Sequence, residues 1–176
     1  MNPIAFFRQR WFAYQTRRQA PRTVHFPVYD RCKTILLLYE SDILEKNPFI
    51  KEIIRRLIHE GKEVTAWGFM PYKPPTSPIL PQSRMLGWRD TGFTHNLKDT
   101  VRQDLQKETY DLLIDLTQNS CLPLHYTAMH AHANFKIGRQ IIEGIHDMMI
   151  NMPAAENPTP LFNQMIHFLT TIRSND

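Results

Sequence analysis

Three carboxylates stand close to the ends of two segments that the sequence predicts to be strands. Glu40 and Asp42 follow the apolar run of residues 33–39, and Asp115 lies in the apolar run of residues 110–117. Because parallel strands end at one edge of their sheet, these side chains could converge there as a general base or around a metal. A carboxylate in an apolar strand can equally accept backbone N–H groups. Glu40, Asp42 and Asp115 are therefore the candidate catalytic residues, with a structural role as the competing interpretation.

A cation follows a third predicted strand, at residues 134–139, where Lys136 and Arg139 stand on either side of Gly138. The planar fork of Arg139 is suited to a bidentate anion, which makes it the candidate anion-binding residue. In the competing interpretation Gly138 only permits a turn, and Arg139 pairs with Asp111 or Glu143. The sequence leaves both interpretations open.

Motifs for phosphate binding and for nucleophilic catalysis are absent from the sequence. Neither G-x-G-x-x-G nor G-x-x-x-x-G-K-[ST] nor G-x-S-x-G occurs. Two carboxylates after the first strand would repel a phosphate, which disfavours a dinucleotide site at that position. We therefore predict no cofactor.

Histidines cluster near the second cysteine, at His125, His130 and His132 after Cys121. A protein metal site needs three or four convergent ligands, and this spacing matches no ligand pattern. We predict no metal site and interpret these histidines as surface or helix-end residues. Cys121 and Cys32 both adjoin predicted buried strands, so we expect them to be reduced and structural.

The charge of the chain is concentrated in its first segment. Residues 1–29 contain five arginines and no acidic residue; because the whole chain carries +4, the remainder sums to −1. Residues 4–18 suit an amphipathic helix with an apolar stripe at helical spacing and arginines around it. The stripe consists of Ile4, Phe7, Trp11 and Tyr14, and the arginines are Arg8, Arg10, Arg17, Arg18 and, beyond the helix, Arg22.

This helix has three interpretations. Its stripe packs on its own domain, or it docks on a protein partner or an anionic membrane surface, or it forms an arm that binds RNA. For docking, the contact residues are Arg8, Arg10, Trp11, Arg17 and Arg18, and deletion of residues 1–22 should abolish association and leave the fold intact. Nucleic acid is the least favoured partner, because five charges are weak support. No apolar run of about 18 residues predicts a transmembrane segment, so we expect a cytoplasmic protein or one peripheral to the inner membrane.

The remaining segments predict one three-layer, Rossmann-like α/β domain with a mostly parallel sheet of about five strands. A basic amphipathic N-terminal helix precedes it. We divide the chain into residues 1–29, the basic helix and connector, and residues 30–176, the α/β domain. Strands are predicted at residues 33–39, 63–69, 84–88, 110–117, 134–139 and 146–151, and helices at residues 48–60, 99–108, 122–132 and 159–172.

Several of these segments resemble a family of uncharacterised proteins known mainly from Bacteroidota as a domain of unknown function. The resemblance is carried by Y-D-L-L-I-D-L from Tyr110, Y-T-A from Tyr126, A-N-F-K-I-G-R from Ala133 and H-D-M-M-I from His146. It spans the chain from about residue 30 to the last predicted helix. It implies a bacterial cytoplasmic protein without an assigned activity.

The D-L-L-I-D-L and A-x-x-K-I-G segments are also distantly similar to the amino-terminal half of heptosyltransferase-like glycosyltransferases. That resemblance implies a Rossmann-like fold and a second domain for the sugar nucleotide, which we do not expect within residues 1–176. In those enzymes a catalytic acid follows the first strand in a Gly-Asp turn. Asp42 stands at the comparable place, preceded by Ser41 instead of glycine.

The function that we infer from the sequence is a non-catalytic binding or adaptor module. The alternative is a degenerate or partner-completed glycosyltransferase-like enzyme, with Glu40, Asp42, Asp115 and Arg139 lining one cleft under the proline-rich loop of residues 70–81. Such an enzyme requires those side chains to lie together around a cavity of a few hundred Å³. A second alternative is an RNA-associated protein that binds through the basic arm.

Overall fold

The computed structural model of the chain describes residues 3–19, 23–41, 48–72, 83–139 and 144–172. Within these ranges the protein is an α/β fold whose six strands are all parallel and are flanked by helices, which confirms the predicted fold class. Each of the six predicted strand segments overlaps a strand of this sheet, which has one strand more than the approximate number of five. An N-terminal helix precedes the sheet, as the apolar stripe with arginines around it predicted.

Helices and strands follow the predicted order along the chain. They are α1 (Pro3–Arg17), β1 (Thr34–Glu40), α2 (Pro48–His59), β2 (Glu63–Phe69), β3 (Ser83–Leu86), α3 (Asp99–Leu105), β4 (Thr109–Asp115), α4 (Leu122–His130), β5 (His132–Arg139), β6 (Met148–Ile150) and α5 (Thr159–Thr171). Short 3₁₀ turns occur at Tyr29–Arg31 and Trp88–Asp90. Gly61 has a φ of +79° just after α2, the left-handed conformation in which glycine commonly ends a helix.

The strands lie in the order β3-β2-β1-β4-β5-β6. The chain thus begins at the centre, moves to one edge and then returns to build the other half of the sheet. β1 pairs with β2 on one side and with β4 on the other. This is the classic doubly wound order, in which ligands bind beyond the carboxyl ends of the strands at the reversal between β1 and β4.

Both faces of the sheet are covered, which explains why β1 and β4 read as continuous apolar runs. On one face Leu37 and Ile114 pack in a cluster with side chains of α2 and α5. On the other face Leu36 and Leu113 pack in a second cluster with side chains of α1, α3 and α4. Every residue of α4 from Leu122 to Met129 is buried, because α1 and α3 both cover this helix from outside.

Helix α1 packs on its own domain through the side that the sequence did not indicate. Phe12 is 1% exposed, and its ring meets the ring of Tyr126 edge-on at 4.7 Å. The predicted stripe faces solvent instead, so the interpretation that this stripe packs on the domain is wrong. Deleting residues 1–22 would remove Phe12 from the core, and point substitutions are therefore the better test of the helix.

None of the helices in the part of the chain that the structure describes is long and apolar enough to cross a membrane.

Candidate functional site

A cavity of about 390 Å³ lies at the carboxyl ends of β1 and β2, beside the reversal between β1 and β4. Its walls come from the ends of these strands, from residues 88–95, from the start of α4 and from the inner side of α1. The volume is within the range of roughly 300–1,000 Å³ that is usual for ligand sites. This is the place where a doubly wound sheet binds its ligands.

Glu40 is the predicted candidate that reaches this cavity. Its Oε2 accepts hydrogen bonds from the backbone N–H groups of Gln118 and Asn119, at 3.0 and 3.1 Å, and from the Asn119 side-chain amide at 3.2 Å. No residue in the described ranges donates a hydrogen bond to Oε1. Burial raises the pKa of Glu40, although these donors act in the opposite direction. The carboxylate therefore binds the loop after β4 through Oε2, and the residue itself lines the cavity.

Aromatic rings form one wall of the cavity. The ring of Trp88 meets Phe69 edge-on at 4.9 Å and lies 4.4 Å from the ring of His95. His95 is the one non-glycine residue with a positive φ, +65°, in the described ranges, and this conformation places its ring against Trp88. Burial and the nearby Arg8 lower the pKa of His95. Trp88 is held by these contacts and is still 45% exposed.

Arg8 joins the cavity from α1. Its Nε donates a hydrogen bond to the Phe93 carbonyl at 2.8 Å, and its guanidinium lies 5.2 Å from the centre of the Phe93 ring. The sequence assigned Arg8 to an outward docking surface together with Arg10, Arg17 and Arg18. The structure places Arg8 against the domain and leaves the other three exposed.

Asp115 is buried and is not among the residues that line the cavity. Its Oδ1 accepts hydrogen bonds from the backbone N–H and the hydroxyl of Thr117, and its Oδ2 lies 3.0 Å from Nε2 of His146. Burial acts to raise the pKa of Asp115, but the hydrogen bond and charge of His146, together with His125 and Thr117, outweigh it, and the pKa is lowered. Asp115 therefore fastens the loop after β4 to the segment before β6.

His146 was not singled out in the sequence, yet it is the buried partner of Asp115. Gly138 on β5 makes room for its ring, since a Cβ at this position would lie 2.6 Å from His146 Cδ2 and Cε1. The expectation of a surface position is wrong for His125, which is buried nearby with neither ring nitrogen hydrogen-bonded to a described residue. Burial lowers its pKa to about 4. No spacing in the sequence indicates that Gly138 lies opposite Asp115, because this pairing follows from the strand register.

Arg139 donates from Nε to the Met152 carbonyl at 2.6 Å and from Nη1 to the Gln118 carbonyl at 2.5 Å. The predicted pairing with Asp111 is not formed, because Asp111 lies near the start of β4 and Arg139 at the end of the parallel strand β5. Asp111 accepts the backbone N–H groups of Lys33 and Thr34 instead. Glu143, the other predicted partner, lies outside the described residues. Arg139 thus holds together the loops that follow β4 and β6.

Of the residues predicted to line one cleft, Glu40 lines the cavity, whereas Asp115 and Arg139 are not among the residues around it. Glu40 and Arg139 bind different backbone atoms of Gln118, and Asp115 is buried. Asp42 lies outside the described residues. No group of three histidine, cysteine, aspartate or glutamate side chains suited to a metal ion occurs in the described part of the chain.

The outer face of α1 is the second feature of this region. Trp11 lies between the rings of Phe7 and Tyr14, with centroid distances of 6.3 and 5.7 Å. The guanidinium of Arg18 covers the Tyr14 ring at 5.4 Å and donates to its hydroxyl at 2.7 Å. Between 39% and 50% of each stripe residue is exposed. Arginines thus line an aromatic surface that remains open to solvent.

Comparison with known proteins gives a family. Residues 6–172 match the model of a family of unknown function, DUF6913. No match was found among curated proteins or among solved structures. Bacteroidota origin and the similarity to glycosyltransferases therefore stay predictions from the sequence. Because the family model covers nearly all of the sequence, the chain belongs to DUF6913, a family of unknown function.

Proposed function

We propose that this protein is a non-catalytic binding module that docks on an anionic membrane surface through the outer face of α1. The observation that carries the proposal is the orientation of this helix. Phe12 anchors its inner side in the core, while Phe7 and Trp11 on the other side are 49% and 39% exposed. A folded domain ordinarily leaves large apolar residues exposed singly, and a row of them on one helix marks an interaction surface.

The chemistry of the face suits the boundary between lipid headgroups and acyl chains. Aromatic residues favour this boundary, and helices that lie in it carry arginines or lysines beside their apolar stripe. Arg10, Arg17 and Arg18 are exposed around the stripe, and residues 1–29 contain no acidic residue. An arginine near an anionic leaflet contributes about 1 kcal/mol, so the three together supply roughly 3 kcal/mol.

An anionic bilayer explains this surface better than a protein groove does. In the α1 helix the side chain of Arg10 lies on one flank of the stripe, and that of Arg18 covers its Tyr14 end. The helix therefore requires negative charge around a continuous apolar strip about 15 Å long, the rise of the helix from Ile4 to Tyr14. A leaflet that contains anionic lipids supplies both properties over any such length.

Sedimentation with vesicles tests the proposal. We expect the protein to bind phosphatidylcholine vesicles that contain phosphatidylserine and not vesicles of phosphatidylcholine alone. The triple variant R10Q/R17Q/R18Q should bind roughly 100-fold more weakly, which corresponds to roughly 3 kcal/mol. The matched control R31Q/R55Q/R89Q removes three exposed arginines elsewhere and should bind like the wild type.

Three results would contradict the proposal. Equal loss in both triple variants would mean that net charge alone drives binding. Absence of binding to anionic vesicles would reject the membrane directly. Binding to single-stranded RNA that is stronger than vesicle binding, and that falls steeply with salt, would favour the arm as an RNA contact. Of the residues proposed for the enzyme alternative that the structure describes, Glu40 alone lines the cavity, and we do not advance this alternative.

A further inference from the structure

We propose that the cavity at the carboxyl ends of β1 and β2 binds a ribonucleoside, with the ribose diol on Glu40 and the base against Trp88. This site is separate from the outer face of α1, and the proposal does not depend on membrane docking. It rests on three features of the cavity. These are a carboxylate with one oxygen that accepts no hydrogen bond from a described residue, an aromatic wall, and the position of both in the fold.

Glu40 supplies the acceptor. An ionised carboxylate has about four acceptor positions on two oxygens. Three donors from Gln118 and Asn119 all bind Oε2, which fixes the orientation of the side chain. Oε1 receives no hydrogen bond from a described residue, although Glu40 is half-buried at the cavity wall. A fixed oxygen of this kind is suited to accept from hydroxyl groups of a ligand, and a vicinal diol offers two of them.

Trp88 supplies the stacking surface. Its ring is fixed by the edge-on contact with Phe69 and by His95, so one part of it is packed and the remainder is exposed. Stacking of a planar base on an aromatic ring contributes about 1–3 kcal/mol of binding free energy, whichever base it is. Because the ring is already held in place, little side-chain freedom is lost when a base covers it.

The geometry favours a nucleoside over a dinucleotide. The carboxylate stands at the end of β1 itself, where a dinucleotide fold places its glycine-rich phosphate loop, and no such loop occurs in the sequence. The neutral polar side chains of Gln9, Asn119 and Ser120 also line the cavity, together with Arg8 and several apolar residues. A sugar ring with hydroxyl groups fits these neighbours, whereas a pyrophosphate would face the Glu40 carboxylate.

Isothermal titration calorimetry with adenosine and uridine tests this assignment on the full chain. 2′-Deoxyadenosine and free ribose serve as the matched ligands, because the first lacks one hydroxyl and the second lacks the base. In the E40Q variant the amide oxygen can still accept from Gln118 and Asn119, while Oε1 is replaced by an NH₂ group that cannot accept. We expect E40Q to bind adenosine roughly 10- to 100-fold more weakly, the loss usual for a hydrogen bond to a charged group.

Two controls separate the site from general effects. E63Q removes an exposed carboxylate at the opposite end of β2 and should bind like the wild type. W88A should weaken adenosine and uridine alike and leave the melting temperature nearly unchanged, because Trp88 is 45% exposed. The assignment is wrong if neither ribonucleoside binds at millimolar concentration. It is also wrong if the wild type binds 2′-deoxyadenosine as tightly as adenosine and E40Q binds both as tightly as the wild type does. Binding of free ribose as tight as that of adenosine would overturn the role of Trp88.

Discussion

At the scale of single residues, Gly138 is the position at which one added methyl group should matter most. The imidazole of His146 occupies the space that a Cβ would need, and this ring is held by Asp115 at 3.0 Å. We expect G138A to lower the free energy of unfolding by about 1–3 kcal/mol, because overpacking forces the ring away from its partner. Urea denaturation followed by circular dichroism measures the change.

Gly92 provides the matched control for this substitution. A Cβ there would come no closer than 3.9 Å to another atom, the Asn96 carbonyl oxygen. G92A should therefore leave the free energy of unfolding within about 0.5 kcal/mol of the wild type, as surface substitutions usually do. Equal effects of G92A and G138A would mean that glycine flexibility, and not the space for His146, decides the stability.

The burial of His125 leads us to expect that the free energy of unfolding depends on pH. Its pKa falls from 6.5 to about 4 on folding because burial disfavours the charged imidazole, although Asp115 acts in the opposite direction. The unfolded chain therefore binds a proton below pH 6.5 that the folded protein takes up only near pH 4. At about 1.4 kcal/mol per pH unit, roughly 3 kcal/mol of stability should be lost as the pH falls through this window.

Urea titrations between pH 7 and pH 4 check this effect. Leucine at position 125 cannot titrate, and it removes no hydrogen bond to a described residue. H125L should therefore lose less stability than the wild type on acidification. It should not become independent of pH, because burial also lowers the pKa of His130 to about 4. A pH profile of H125L that coincides with that of the wild type would contradict the assignment.

At the scale of elements, the two sides of α1 should respond in opposite ways to substitution. Phe12 is buried against Tyr126, so F12A should cost about 3–5 kcal/mol in unfolding free energy. Trp11 immediately precedes Phe12 in the chain but lies on the exposed side. W11S should therefore change the unfolding free energy little and weaken vesicle binding. Thermal melts and vesicle sedimentation of the two variants measure both effects. Loss of stability in W11S would show that the stripe is structural.

Sequence patterns predicted where the helices and strands lie better than which of their faces are buried. The run of residues 33–39 and the proline at the start of α2 indicated strand and helix correctly, since periodicity and helix-start signals are local properties. The sequence pattern did not identify the buried face of α1, because four apolar residues lie on its exposed face and only Phe12 lies on its buried face. Only the surrounding helices determine which of two apolar faces is buried, and the sequence pattern does not contain them.

The same limit applies to the candidate site. The position of Glu40 at a strand end was predictable, but its three donors come from residues 78 and 79 positions further along the chain. Arg139 was singled out as a candidate anion-binding residue and Asp115 as a candidate catalytic residue. Their partners, the carbonyls of Met152 and Gln118 and the ring of His146, follow from the order of the strands and not from spacing.

At the scale of the whole molecule, α1 links the two proposed sites. Its inner side contributes Arg8 to the wall of the cavity, and its outer side carries the aromatic face. Docking through the outer face would place the carboxyl edge of the sheet close to the surface on which the helix lies. The central claim is that Trp11 enters the lipid boundary while the rest of the domain stays outside it.

Quenching of tryptophan fluorescence by lipids brominated on their acyl chains tests this claim most directly. Trp11 is in the stripe, Trp67 is buried in the core at 5% exposure, and Trp88 lies in the wall of the cavity. We predict that brominated anionic vesicles quench the wild type and that W11F, which still binds, loses this quenching. Binding without quenching, or quenching that is unchanged in W11F, would contradict the proposed docking through α1.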